Sequence, residues 1–302
     1  MSSAVTLIPW QIAIDEHLII RGQHTPFSGK PVIHFLHGNG FCGLTYRPFL
    51  EALATDFDLI ISDMPGHGDS DSESPFMGWN RTARVMASVL KQHMAQLGDV
   101  PVYLLGHSYG GVISALMVKH KLAVRGLVML DPVIFPPGLL SVMAVGDSLG
   151  LLKNAPLAKS ARARRKHWAS RQDAHAALHN RGMFRGWSEE SFAAHIEHGL
   201  RDMADGVSLK CNPEREAQIF SSYPRKLWAS LASVHVPMVL FEAEKSFPFI
   251  ARSTERLAVL NQRLQLHKVK GGHCFMQEQP QTSAARVAAV IHALESSHAD
   301  LG

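Results

Sequence analysis

Apolar positions along this chain fall into two kinds of pattern. Short apolar runs recur at 31–36, 59–62, 101–105, 126–130, 236–241 and 264–269, and glycine, proline or polar residues close them. Runs this short and this apolar predict strands covered on both faces. Between them, apolar residues recur at helical spacing. Met86, Leu90, Met94 and Leu97 precede a stop at Gly98, and Val287, Val290, Ile291 and Leu294 mark a final helix. Residues 9–22, with Ile12, Ile14, Leu18 and Ile20 at even intervals, predict a strand or hairpin. Strands alternating with helices predict an α/β fold, a mainly parallel sheet with helices on both faces.

The pattern changes between about Phe135 and Leu231, where no buried strand is legible and only helix-like segments follow one another. Asn212-Pro213-Glu214 is a helix start, with a capping Asn, proline at the first helical position and an acid in the first turn. The expected organisation is a core domain of residues 1–134 and 232–302, interrupted by a helical cap insertion at 135–231. A chain of 302 residues, 46% hydrophobic, is long enough to bury such a core.

Composition narrows the function classes. The net charge of +4 comes from 30 Lys and Arg against 26 Asp and Glu. That excess is too small and too dispersed to imply nucleic acid. Cys42, Cys211 and Cys274 form no Cys-x-x-Cys pair, so neither a disulfide framework nor a thiolate zinc site is expected. No His, Asp or Glu spacing suggests a metal, and no Gly-x-Gly-x-x-Gly opens a helix, so no cofactor is expected. Met1–Ile20 carries Asp15 and Glu16 without a basic segment ahead of an apolar core, and no run approaches the ~20 residues of a membrane span. The expectation is a soluble cytoplasmic protein acting on a small molecule.

The candidate chemistry lies where strands end. The run at 101–105 meets Gly106-His107-Ser108-Tyr109-Gly110-Gly111, followed by a helical pattern. Strand, sharp turn and helix would hold the Ser108 hydroxyl above the sheet edge and aim the Tyr109 N–H at a developing oxyanion. A serine needs a base within reach. Among 18 histidines, His273 follows a late strand and two glycines, whereas His107 adjoins Ser108 in a turn that should make their side chains diverge, and His37 and His67 sit in glycine-rich loops where ring nitrogens ordinarily bond backbone. A second oxyanion donor is expected from the loop after residues 31–36, at Asn39, whose side-chain amide can also reach a substrate carbonyl.

Taken together, His37-Gly-Asn-Gly40, Asp63-x-Pro-Gly-His-Gly-Asp-Ser70, Gly106-His-Ser-Tyr-Gly-Gly111, Asp131-Pro132 and Gly271-Gly-His273 resemble the α/β-hydrolase superfamily over nearly the full chain. The resemblance implies Ser108 as nucleophile, His273 as base, a helical cap over the pocket and a structural role for Asp63. Relatives commonly carry the catalytic acid just after the strand that is 237–242 here, but this chain reads Ala243-Glu244-Lys245-Ser246-Phe247. Three readings stand: Asp131 after the preceding strand, as in some branches, Glu244, or no acid.

A serine rather than a carboxylate at the elbow implies acyl chemistry on a carboxylic ester or related acyl compound through an acyl-enzyme. Thioester cleavage, carbon–carbon cleavage of a diketone, and ligand binding without turnover are the alternatives. The Arg162–Trp168 cluster is expected to be a solvated cap-helix face. Trp168, Met183, Phe184, Trp187 and Phe192 are expected to pack the cap's own core.

Overall fold

The computed structural model describes residues 5–72 and 75–299. In chain order the strands are β1 (Ile8–Asp15), β2 (Leu18–His24), β3 (Val32–Leu36), β4 (Asp58–Ser62), β5 (Val102–His107) and β6 (Gly126–Leu130). Three short ones follow, β7 (His167–Trp168), β8 (Leu200–Met203) and β9 (Gly206–Leu209), then β10 (Met238–Lys245) and β11 (Leu264–Gly272). The helices are α1 (Arg47–Leu53), α2 (Trp79–Leu97), α3 (Tyr109–Val118), α4 (Pro137–Ser148), α5 (Pro156–Arg162), α6 (Arg171–Leu178), α7 (Glu189–His198), α8 (Pro213–Phe220), α9 (Leu227–Ala232), α10 (Pro248–Leu260), α11 (Phe275–Glu278) and α12 (Pro280–Ala299).

Eight strands make one sheet in the order β1-β2-β4-β3-β5-β6-β10-β11. The β1–β2 hairpin joins β4 antiparallel, and from β4 to β11 every neighbouring pair is parallel. The sheet is apolar on both faces because successive side chains point to opposite sides. Val32, Leu36, Leu104, Leu127, Met129 and Leu240 share one cluster with α2, α3 and α9. Ile33, Phe35, Leu105, Val128, Leu130 and Phe241 share the other with α1 and α12. Two covered faces are why these strands read as unbroken apolar runs. Loops at the carboxyl ends of the parallel strands carry Asn39, Asp63, Ser108, Asp131 and His273, the position where such sheets hold their ligands.

The stretch between β6 and β10 is not purely helical, contrary to the sequence reading. It holds α4 to α9 and an antiparallel three-stranded sheet, β7-β9-β8. These strands have two to four residues, and three of the four in β8 are exposed, so no alternation of usable length exists in the sequence. Trp168, Phe184, Trp187 and Phe192 are buried here; Phe184 packs against Trp187 and Phe192, and Trp187 packs against Phe41. The Asn212 side chain caps α8 by accepting from the Glu214 N–H at 3.0 Å.

The basic cluster also differs from a simple solvated face. Arg162 pairs with Glu214 at 2.8 Å, and Arg164 pairs with the buried Glu216. Two arginines of α5 and the following turn thus fasten it to α8.

Candidate active site

Ser108 sits between β5 and α3 with φ 53° and ψ −115°, a left-handed conformation that costs a non-glycine residue of order 1–3 kcal/mol. The turn is held from both sides. The Ser108 N–H donates to the Leu130 carbonyl at 2.9 Å, and its carbonyl accepts from Val112 at 3.3 Å. Neither flanking glycine tolerates a side chain. A Cβ on Gly106 would lie 2.4 Å from the Gly110 carbonyl oxygen, and one on Gly110 would lie 2.3 Å from that of Leu36. The sequence therefore accepts only glycine where strand, turn and helix press together.

The Ser108 hydroxyl donates to His273 Nε2 at 2.9 Å, and His273 Nδ1 donates to Asp131 Oδ2 at 2.5 Å. The carboxylate on one side fixes the proton on Nδ1 and leaves Nε2 to accept. Asp131 is fully buried, has φ 42°, and is fixed by three further bonds. Its N–H donates to the Phe241 carbonyl at 2.7 Å, Oδ1 accepts from the Ala243 N–H at 2.9 Å, and Oδ2 accepts from the Ser246 hydroxyl. Glu244, the alternative acid, is exposed on β10. Ser246 stands where relatives carry their acid, and its bond to Asp131 is a feature that sequence reasoning missed, although that displaced position was its signal.

Tyr109 opens α3, where the first N–H groups have no intrahelical acceptor and the helix end is partially positive. In the loop after β3, the Gly38 N–H donates to the Tyr46 hydroxyl at 3.1 Å, the Phe41 N–H to the Gly38 carbonyl at 3.3 Å, and the Gly40 N–H to the Cys211 sulfur. Asn39 lines the same cavity as Ser108 and Tyr109. The Asn39 side chain, however, is turned away from the role expected of it. Its amide donates to the Glu216 carbonyl at 3.1 Å and accepts from His67 Nε2 at 3.3 Å. It ties the loop to α8.

His37 and His107 are held by hydrogen bonds within the fold. His37 donates from Nδ1 to the Gly38 carbonyl at 2.8 Å and accepts the Met64 N–H at Nε2, and burial lowers its pKa to about 4. Tyr46 donates to His107 Nδ1 at 2.7 Å, and His107 Nε2 donates to the His273 carbonyl at 2.9 Å. Burial and the neighbouring His273 hold His107 well below the usual imidazole range, so it stays neutral. One ring thus links the loop after β3 to the loop that carries His273, a link with no local sequence signal. Asp63 accepts from the N–H groups of Gly43 and Asp69. Burial raises its pKa to about 6 despite these bonds. Cys274 is buried against Trp187, and burial pushes its thiol well up, which removes it as a nucleophile.

Above Ser108 lies a cavity of about 100 Å³ lined by Phe41, Trp79 and Phe249, with Phe135, Leu157, Met183, Ile219 and Phe220 contributed by the stretch between β6 and β10. Its only titratable side chains besides the buried Tyr109 phenol are His107 and His273. Of the aromatic and methionine residues singled out in that stretch, Met183 alone lines it.

Among the described residues, no helix is long and apolar enough to cross a membrane.

Comparison with known proteins places these features. The chain is 28% identical over 145 residues to a probable protein phosphatase methylesterase 1 of Caenorhabditis elegans, covering 42% of this chain and 38% of that protein. It is 33% identical over 125 residues to a soluble epoxide hydrolase of Corynebacterium sp. (strain C12), covering 41% and 40%. The chain thus spans about two fifths of the length of these curated relatives. Among solved structures, the peroxisomal alpha-beta-hydrolase Lpx1 of Saccharomyces cerevisiae shares the fold with a TM-score of 0.77 at 15% identity, covering 97% of this chain and 89% of that one. The model of the alpha/beta hydrolase family matches residues 35–286, a span running from β3 to α12. This chain belongs to the alpha/beta hydrolase family.

Proposed function

We propose that this protein is a cofactor-independent serine hydrolase that cleaves a carboxylic ester through an acyl-enzyme. The observation that carries the reading is the unbroken series of bonds from Ser108 through His273 to Asp131. Ser108 Oγ attacks the ester carbonyl carbon while its proton passes to His273 Nε2. The oxyanion receives the N–H groups of Tyr109 and Asn39. As the tetrahedral species collapses, the leaving alkoxide takes the proton from Nε2, and the acyl group stays on Ser108. Water then enters by the same route in reverse, giving the acid and free serine. Asp131 keeps the proton on Nδ1 and stabilises the imidazolium.

The residue at the elbow bears on the alternatives among relatives. A serine ester is an acyl ester that water hydrolyses readily, which fits the methylesterase named among the relatives better than the epoxide hydrolase. Residues 135–231 act as a cap that closes the pocket. An aromatic and aliphatic lining without acidic or cationic side chains suits a neutral, apolar acyl group. About 100 Å³ is small against the ~300–1,000 Å³ of ordinary ligand pockets, so longer chains must displace Leu157 or Met183.

The test is a time course with activated acyl esters of increasing length. Wild type is expected to release leaving group in a burst equal to the enzyme concentration, and Ser108→Ala to show none. A full burst in Ser108→Ala sinks the mechanism. No turnover by wild type on any ester, thioester or diketone moves the reading to ligand binding.

A further inference from the structure

Helix α4 has a composition that contradicts its surroundings. Its sequence, Pro-Gly-Leu-Leu-Ser-Val-Met-Ala-Val-Gly-Asp-Ser, is apolar on nearly every side, the pattern of a helix sunk in a core. Yet none of its residues is buried. Val142 is 68% exposed and Val145 61%, and the turn that follows adds Leu149 at 65% and Leu151 at 56%. With Leu157, these are five of the ten large hydrophobic side chains exposed among the described residues, gathered within 16 consecutive positions. Single exposed apolar residues need no explanation, but a contiguous patch marks a surface that something covers.

The charges around the patch indicate what covers it. From Ser148 to Lys166 the chain has six cationic side chains and no acidic one. Arg162 and Arg164 are paired within the fold, whereas Lys153 and Lys159 are exposed beside Leu151 and Leu157. On the other side, a groove of about 550 Å³ runs between the start of α4 and α9, lined by Leu140, Tyr223 and Trp228 together with Arg225 and Lys226. Asp147 is the single acid on α4.

We propose that α4 and the turn after it form a docking face for an anionic lipid surface. The exposed valines and leucines enter the boundary between headgroups and acyl chains, while Lys153, Lys159, Arg225 and Lys226 meet the lipid phosphates. A second copy of this chain fits less well, because a two-fold contact sets each cationic rim against its own image. The face adjoins the cavity above Ser108. Leu157 and Met183 line that cavity and are also 48% and 38% exposed. A docked molecule therefore holds its cavity mouth against the lipid. The docking itself does not depend on the serine chemistry.

The experiment is co-sedimentation of the full chain with vesicles of phosphatidylcholine alone or mixed with phosphatidylglycerol. Binding is expected for the mixed vesicles and is expected to weaken as salt rises. Val145→Ser combined with Leu149→Ser and Leu151→Ser should weaken it by about tenfold or more, since each loses buried apolar area. Lys153→Glu with Lys159→Glu should weaken it by at least about fivefold per lysine. Hydrolysis of a short water-soluble ester and the circular dichroism spectrum should match wild type in the serine variant, which separates lost docking from lost folding. Equal sedimentation with both vesicle types, or wild-type binding by the serine variant, overturns the proposal. So does a dimer in light scattering that dissociates in the serine variant while neither protein binds vesicles, which would assign the face to a second copy.

Discussion

The carboxyl edge of the main sheet and the stretch between β6 and β10 contain the same kinds of residue but are built in opposite ways. At the sheet edge, each side chain of the proposed triad stands one residue beyond a strand of the main sheet, β5 and β6 paired on both sides and the edge strand β11 on one. Ser108 follows β5, Asp131 follows β6 and His273 follows β11. Asp131 even donates its N–H to the Phe241 carbonyl of β10, the strand beside β6. In the insertion, helices of 6 to 12 residues and strands of two to four are fastened by side chains, through Arg162–Glu214, Arg164–Glu216 and the Asn39 amide. Backbone ladders fix geometry to a few tenths of an ångström. Side-chain clips permit adjustment. With residues 135–231 as the proposed cap, an edge built this way would keep one chemistry while the pocket above it varied.

The largest expected effect falls on the rigid side. Asp131→Asn keeps the bond lengths but offers His273 the wrong tautomer, and kcat should fall by roughly 10³–10⁴ with the fold intact. Glu244→Gln should leave kcat unchanged. If Asp131→Asn keeps turnover within about tenfold of wild type, the sheet edge does not set the chemistry, and the contrast with the insertion collapses.

The difference in construction also explains what was legible. Buried strands announce themselves by composition, so the order β3 to β6, β10 and β11 could be read, and with it the loops that hold Ser108, Asp131 and His273. The β7-β9-β8 sheet could not, because two to four half-exposed residues carry no period. The hydrogen bond of the Asn39 side-chain amide was illegible for a related reason. Its partner, Glu216, lies 177 residues away in the insertion, and nothing local to Asn39 signals that contact. Ser246 and Tyr46 escaped likewise, since each acts through hydrogen bonds made only in the folded chain.

Acid should test both regions at once. Burial lowers the pKa of His34 to about 3 and of His37 and His93 to about 4 in the core, and of His195 to about 3 in the insertion, from 6.5. As pH falls through 6.5 toward 4, the unfolded chain binds protons that these rings refuse, so stability is lost. Asp63, raised to about 6 from 3.8, acts in the opposite sense, because the folded state takes its proton first and acid relieves its burial. Each of these four histidines contributes a loss on the order of 1–2 kcal/mol between pH 7 and 5, in the same sense as the lowered His67 and His107, and together they outweigh Asp63. Thermal melts at the two pH values check this. A Tm that is flat or higher at pH 5 contradicts it. Three of the four rings are in the core, so hydrogen exchange should show acid loosening the main sheet as well as the insertion.

Within the insertion, the two ion pairs sharpen the comparison. Glu216 has a side chain only 4% exposed, whereas both members of Arg162–Glu214 are a third or more exposed. Arg164→Ala strands a buried carboxylate and should cost roughly 3 kcal/mol, whereas Arg162→Ala should cost about 0–1 kcal/mol. Urea unfolding measures both. Equal losses would mean that the clip at Glu216 has no special place in seating the cover on the Asn39 loop.

The smallest effect asks how finely the rigid edge is set. His107 accepts from Tyr46 and donates to the His273 carbonyl, so a neutral ring spans the loops after β3 and β11 and packs against the His273 ring with centroids 4.8 Å apart. If it acts as a positioning residue, His107→Phe keeps an aromatic ring in the space but releases both loops. His273 then samples poses off the line to Ser108, and misplacement of that kind lowers kcat by roughly 10- to 100-fold. KM should change by less than about threefold, because the apolar lining that receives the acyl group remains. Tyr46→Phe removes only the bond to Nδ1 and should fall between wild type and His107→Phe. A purely structural role predicts something else: lower Tm in both variants, with kcat unchanged in the fraction that stays folded. Active-site titration by the burst counts that fraction, so turnover per competent site separates the two. Unchanged turnover per site in His107→Phe would show that β5 and β11 alone fix the geometry, and that the rigid edge needs no bridge across its loops.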